Sequence, residues 1–340
     1  MPVGLQRFAD ALPDPCLVLD RCHVVLYPNG PAAAQFPGID VGVLIARTLR
    51  FPTVLNAIDR VSAGGKAETV ELHQTVPTET WHRVTIAPLS APDNDDLVVV
   101  ALQSLTEGKR LDAMRTDFIA NVSHELRTPL TSLLGFIDTL MGPAAKDPTA
   151  QEKFLGVMRA QATRMSKLIE DLLSLSRIEM GQHVRPTGRV DLTLLLREVI
   201  DGLSTHAREA AVDIKVQASL DSGEVTGDRD ELYEVFENLI DNALKYGAGG
   251  GSVEIALAPA DRQGYAYQIN VIDHGTGIEA EHVPRLTERF YRVDAESSRK
   301  KKGTGLGLAI VKHIVTRHRG LLTIRSRPGE GTRVEVLLPR

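Results

Sequence analysis

"FIANVSHELRTPLTSLLGFIDTL", residues 118–140, decides how the chain is to be read. Phe118, Val122, Leu126, Leu130, Leu133, Ile137 and Leu140 recur every three or four positions, which predicts an amphipathic helix; Leu111 and Met114 carry the stripe back to about residue 107. Into that helix the sequence sets His124 beside Glu125, then Thr128 one turn on, then Pro129. Pro129 has no N–H for the carbonyl of residue 125 and its ring crowds that turn, at a cost of roughly 3 kcal/mol in a helix interior. A kink is therefore expected just after His124, and we read it as a hinge that lets the face carrying His124 swing between partners.

A second stripe, Phe154, Met158, Met165, Leu168, Leu172 and Leu175, follows the breaker-rich connection "MGPAAKDPTA" at 141–150. Two long amphipathic helices in a hairpin are expected. Such a pair cannot bury both stripes by itself, which favours a homodimer with a four-helix bundle. A monomeric hairpin packed on its own flanking domain is the alternative.

On either side of the hairpin the pattern changes. Residues 1 to about 105 mix short apolar runs such as "CLVLD", "HVVLYPNG", "AETVELHQTV", "WHRVTIAPL" and "LVVVALQSL" with brief helical stretches, which predicts a small α/β module with an antiparallel sheet. The linker "GQHVRPTGR", 181–189, has no apolar period. After it come three helical segments, ending in "GLGLAIVKHIVTRH", and five strand-like ones clustered late. A two-layer α/β sandwich fits this order better than a doubly wound parallel sheet. The expected domains are 1–105, 106–182 and 188–340, a multidomain α+β chain.

Composition sets outer bounds. With 340 residues, two or three domains are expected, and 43% hydrophobic with 24% charged residues belongs to an ordinary globular protein. A net charge of -5 provides no basic field, so no direct nucleic-acid partner is expected. Two cysteines, Cys16 and Cys22, are too few for a disulfide framework. No apolar run approaches the roughly 18 residues of a membrane span and no secretory signal is visible, so the chain as given is expected to be cytoplasmic.

The chemistry-bearing residues fall in two groups. His124 and Thr128 stand one above the other on a helix face, with Glu125 to the side. A neutral imidazole has one nitrogen whose lone pair can attack phosphorus, and Glu125 could accept from the other. A histidine–glutamate pair by itself is more often surface decoration. The second group is scattered. "NLIDNALKY", 238–246, puts Asn238, Asn242 and Lys245 on one helix face, where amide oxygen suits Mg2+ and the ammonium suits phosphate. "DHGTGI", 273–278, supplies Asp273 as acceptor for an exocyclic amine, with Gly275 and Gly277 allowing close backbone approach. "GTGLGLAI", 303–310, opens a helix with Gly303, Gly305 and Gly307, whose first amides suit a polyphosphate. Each motif alone is weak: a polar helix face, a turn, a solitary glycine run. The basic stretch from Arg299 to Lys302 reads either as a solvated loop or as a lid over phosphates.

"SHELRTPL" resembles the phosphoacceptor box of the sensor histidine kinases of two-component systems. The resemblance implies that His124 carries the phosphoryl group, that Glu125 assists transfer, and that Thr128 helps orient water for dephosphorylating the partner. "NLIDNALKY", "DHGTGI", "ERFYR" and "GTGLGLAI", in that order, resemble the N, G1, F and G2 boxes of the ATP-binding domain of the same family, a fold shared with Hsp90, type II topoisomerases and MutL. That implies ATP and Mg2+, with the metal on Asn242 and adenine on Asp273. Phosphate or lid contacts are implied for Asn238, Lys245, Arg292, Gly303, Gly305 and Gly307, with Thr304 and Leu306 in the same run and Tyr246 beside the nucleotide.

The first hundred residues look like a PAS domain, in which Cys16, Cys22 and His23 are better read as strand residues than as metal or haem ligands. The module order is similar to that of phosphate-regulon sensor kinases, which usually carry a membrane segment. Attachment is then expected only through a segment or partner outside this sequence, the chain being the cytoplasmic part of an inner-membrane sensor. The expected function is autophosphorylation of His124 and transfer to an aspartate of a response regulator, with regulator phosphatase activity. A kinase answering another stimulus, a non-catalytic nucleotide-dependent scaffold and an ATP-driven clamp are the alternatives. A clamp has no use for the "SHELRTPL" histidine.

Overall fold

The computed structural model describes residues 3–75, 78–90, 96–180, 184–218, 223–293 and 303–340. The chain falls into two compact units, 1–120 and 121–340. The basic stretch 299–302 and the first three residues of the 181–189 linker lie outside the described residues.

In the first unit the strands β1 (Cys16–Leu19), β2 (Val25–Pro28), β3 (Glu68–Gln74), β4 (Thr80–Ser90) and β5 (Asp96–Ser104) form one sheet in the order β2-β1-β5-β4-β3. Every pairing is antiparallel, as the alternation of short apolar runs and turns predicts. Three helices, α1 (Val3–Asp10), α2 (Gly30–Gln35) and α3 (Pro52–Ser62), accompany it. Val54, Ala57, Ile58 and Val61 put one face of α3 into a core with Leu17, Leu19, Val84, Ile86, Val100 and Leu102. Asn29 is fully buried and satisfied: its Oδ1 accepts from the Cys16 and Ala32 amides, and its Nδ2 donates to the Ala9 and Asp14 carbonyls. Cys16 is buried in β1 and Cys22 is exposed, while His23 Nε2 meets Ser62 Oγ at 3.1 Å.

Helix α4 runs from Thr106 to Met141 and α5 from Pro148 to Met180, about 54 and 50 Å of helix. Asp147 caps α5: its Oδ1 accepts from the Thr149 and Ala150 amides, and Pro148 fills the first helical position. Phe136 and Phe154 stack across the hairpin, centroids 5.3 Å apart. Pro129 does not end α4, which continues for three more turns. Among the described residues no helix is long and apolar enough to cross a membrane.

The C-terminal part is the two-layer sandwich the sequence predicts. Strands β7 (Asp213–Ala218), β9 (Ser252–Pro259), β10 (Tyr267–Asp273), β11 (Leu321–Arg327) and β12 (Gly331–Leu338) form a sheet in the order β11-β12-β10-β9-β7. Only the β7–β9 pairing is parallel. In β9 burial alternates strictly, so Val253, Ile255 and Leu257 face a helical layer built from α6 (Leu192–Ala210), α7 (Arg229–Gly247) and α8 (Gly307–Arg317). A short pair, β6 (Arg189–Asp191) with β8 (Glu224–Thr226), escapes the sequence reading because three residues are too few to show a period. Asp191 and Asp228 cap α6 and α7.

Candidate functional site

His124 lies exposed on α4, so nothing in the hairpin covers its ring. Thr128 is also exposed, and its hydroxyl donates back to the His124 carbonyl at 3.1 Å. That bond gives the carbonyl a side-chain donor in the turn that Pro129 weakens. Glu125 is half-buried, and its Oε2 accepts from Arg164 Nη2 on α5 at 2.9 Å.

The four scattered stretches meet at one edge of the sandwich, where the end of α7, the loop after β10 and the start of α8 converge. Asp273 closes β10 at 8% exposure, and its Oδ1 accepts from the Gly275 amide at 2.9 Å. Glycine is required around it. A Cβ on Gly275 would lie 2.3 Å from the Tyr246 carbonyl oxygen, and one on Gly277, at φ +68, would lie 1.8 Å from that of Arg327. At the start of α8 a Cβ on Gly307 would fall 2.6 Å from Asn238 Oδ1, and Asn238 Nδ2 donates to the Glu234 carbonyl. Gly303 faces the Tyr246 hydroxyl and Arg292 Nη2, at 3.3 and 3.9 Å from its Cβ position. Gly305, at φ +76, packs on Phe290, whose amide donates to the Gly305 carbonyl at 2.8 Å, while Leu306 is fully buried and anchors the run. Asn242 is half-buried on α7, and Lys245 is held by Asp241 one turn back.

Side chains from α5 join this edge. Asp171 is 2% exposed, accepts from Thr304 Oγ1 at 2.7 Å and lies 3.4 Å from Lys167 Nζ. Burial works against the Lys167 charge, but Asp171, Glu237 and Glu234 together outweigh it, so the ammonium is held above its ordinary range. Ser174 donates to Glu234 at 2.7 Å, yet burial dominates and raises the Glu234 carboxyl. Arg289 pairs with Glu179. Between α5 and α7 opens a cleft of about 820 Å³, lined by Arg164, Lys167, Asn238, Asp241, Lys245 and Thr304 among others.

Sequence reading missed Arg164 and Asp171. Arg164 leaves no trace at that level. Asp171 does: it sits at the spacing of Leu168, Leu175 and Ile178, the buried residues of α5, where an apolar side chain is expected.

Comparison with known proteins bears on this arrangement. Residues 227–340 match the family described as histidine kinase-, DNA gyrase B-, and HSP90-like ATPase, and residues 114–181 match the His Kinase A (phospho-acceptor) domain. The chain is 39% identical over 237 residues to the phosphate regulon sensor protein PhoR of Pseudomonas aeruginosa, which covers 69% of this chain and 52% of that protein. The two matched segments are those of sensor histidine kinases. The sensor protein kinase WalK of Staphylococcus saprophyticus is 37% identical to this chain over 244 residues, 71% of this chain and 39% of that one. The chain thus spans about half, or less, of the length of these relatives. In fold it is similar to the histidine kinase ThkA, solved in complex with the response regulator TrrA, at TM-score 0.53 and 17% identity over 100% of this chain and 98% of that one. Residues 1–113 lie outside both family matches.

Proposed function

We propose that this chain uses ATP to phosphorylate His124 and passes the group to an aspartate of a separate response regulator. The observation that carries the reading is an exposed His124 in the same compact unit as a glycine-lined edge that joins Asn238, Tyr246, Asp273, Arg292 and Gly303–Gly307. Asp273, fixed by the Gly275 amide, has the acceptor an adenine amino group needs, and the amides opening α8 are free of any side-chain cap, which suits phosphate. Among the described residues no cluster of three or more His, Cys, Asp or Glu could cage a metal. A cation held by the Asn242 amide oxygen together with phosphate oxygens fits that donor set. Mg2+ would supply charge neutralisation at the phosphates, and Lys245, once released from Asp241, would add to it. Glu125 takes the proton from the ring nitrogen that does not attack. Thr128, on the same helix face, serves the reverse hydrolysis of the phosphorylated regulator.

The wider identity follows the same reading: domains at 1–105, 106–182 and 188–340, with a PAS-like sensor first. Its support is the β2-β1-β5-β4-β3 order with two helices between β2 and β3. Phosphate-regulon signalling is favoured by the likeness to PhoR, and the chain acts as the cytoplasmic part of a membrane sensor. A homodimer is supported by α4, where Leu111, Met114, Leu130 and Leu134 are all about half exposed or more.

The test is incubation with γ-labelled ATP and Mg2+. The wild-type chain takes up acid-labile, base-stable label and His124→Gln takes up none; equal labelling of the variant refutes the assignment.

A further inference from the structure

Among the described residues of the cleft, Arg164 also grips α4, which carries His124. Its Nη2 donates to Glu125 Oε2 at 2.9 Å, with the two side chains 19% and 26% exposed. The contact uses one carboxylate oxygen. Among the described residues the ion pair leaves Oε1 of Glu125 for another donor, and His124 precedes Glu125 in the chain. A glutamate on an open helix face samples several rotamers; one pinned by an arginine from the neighbouring helix does not.

From this we infer that Arg164 is a positioning residue for phosphoryl transfer: it fixes Glu125 by one oxygen so that the other meets the imidazole of His124. The inference rests on the kinase reading above. In the step it serves, a ring nitrogen of His124 gives its lone pair to the γ-phosphorus and the phosphorus–oxygen bond to ADP breaks, that electron pair leaving on ADP. The proton on the other ring nitrogen passes to Glu125 Oε1. Arg164 touches neither ATP nor His124 in this scheme.

Loss of the clamp leaves Glu125 present but unaimed, and misplacement of this kind costs roughly 10- to 100-fold in turnover. Autophosphorylation is to be measured on the full chain with γ-labelled ATP for Arg164→Gln, Arg164→Lys, Glu125→Gln and the double variant Arg164→Gln/Glu125→Gln. Arg164→Gln is expected to lower kcat by that factor at an unchanged KM for ATP. Arg164→Lys recovers most of it, because a single charged contact is all that the geometry uses. The double variant is no slower than Glu125→Gln alone, since the clamp has nothing left to hold. Three results overturn the proposal: wild-type kcat in Arg164→Gln, a change confined to KM, or the same factor lost again in the Glu125→Gln background. A role confined to joining the helices would lower the melting temperature of Arg164→Gln and be independent of residue 125, so additivity in the double variant decides even where stability falls. A wild-type chain that takes up no acid-labile label overturns the kinase reading and this inference with it. A labelled wild type beside a fully active Arg164→Gln overturns this inference alone.

Discussion

Gly277 shows how tightly single residues are bound to the glycine-lined edge. Its φ of +68 lies where L side chains are strained, and the Arg327 carbonyl occupies the place of a Cβ. Gly277→Ala is expected to cost about 2–4 kcal/mol from strain and overpacking, read as a lower melting temperature. His318, 1% exposed, is a second such residue. Its Nδ1 donates to the Ile314 carbonyl at 2.8 Å and its Nε2 accepts from the Asp228 amide at 3.0 Å, so the ring is neutral and joins the end of α8 to the cap of α7. Burial lowers its pKa from the ordinary 6.5, only partly opposed by the Ile314 bond. The unfolded chain then binds the proton first. Stability from this group is fully present above 6.5 and is lost as pH falls toward the folded value. Melting at about pH 7.5 and about pH 5.5 should show a loss in the wild type that His318→Gln lacks. The sequence made the glycines legible, since Gly277 and Gly305 need a positive φ and Gly275 and Gly307 a close approach. It did not mark His318, whose role comes from a residue 90 positions away.

Among the elements, α5 carries more than its period suggests. Its apolar residues predict a packing helix, yet Asp171 stands within the buried line between Leu168 and Leu175 and binds Thr304 of the glycine run. Thr304→Val removes one hydrogen bond to a carboxylate, about 1.5–3 kcal/mol, and Asp171→Ala should cost more because Lys167 loses its partner too. Amide hydrogen exchange across residues 303–307 should quicken in both variants, and more in Asp171→Ala. In α4 the helix runs past Pro129 to Met141. Thr128, bonded to the His124 carbonyl, lies in the same turn as the donor missing at Pro129.

For the whole molecule, long apolar periods and motif order carried the reading furthest, because each depends on local spacing alone. The antiparallel first sheet, the hairpin and the late-stranded sandwich were all legible for that reason. The meeting of α5 with the nucleotide edge was not, since it joins residues some 133 positions apart, as Asp171 and Thr304 are. The exposed line on α4 has a consequence for assembly. In the proposed homodimer Leu134, 55% exposed, should lie in the interface, where burying a leucine is worth about 1.5–3 kcal/mol in each chain. Leu134→Glu is expected to shift the protein from dimer to monomer in light scattering, and an unchanged mass would count against the bundle.

The bond between Thr304 and Asp171 makes one hydroxyl common property of the hairpin and the glycine run. Any nucleotide that recruits that hydroxyl must withdraw it from α5, and any movement of α5 that withdraws Asp171 must alter the welcome a nucleotide meets. By thermodynamic reciprocity the two effects are equal in size. A stimulus that strains the hairpin therefore has a route to nucleotide affinity through a single oxygen atom.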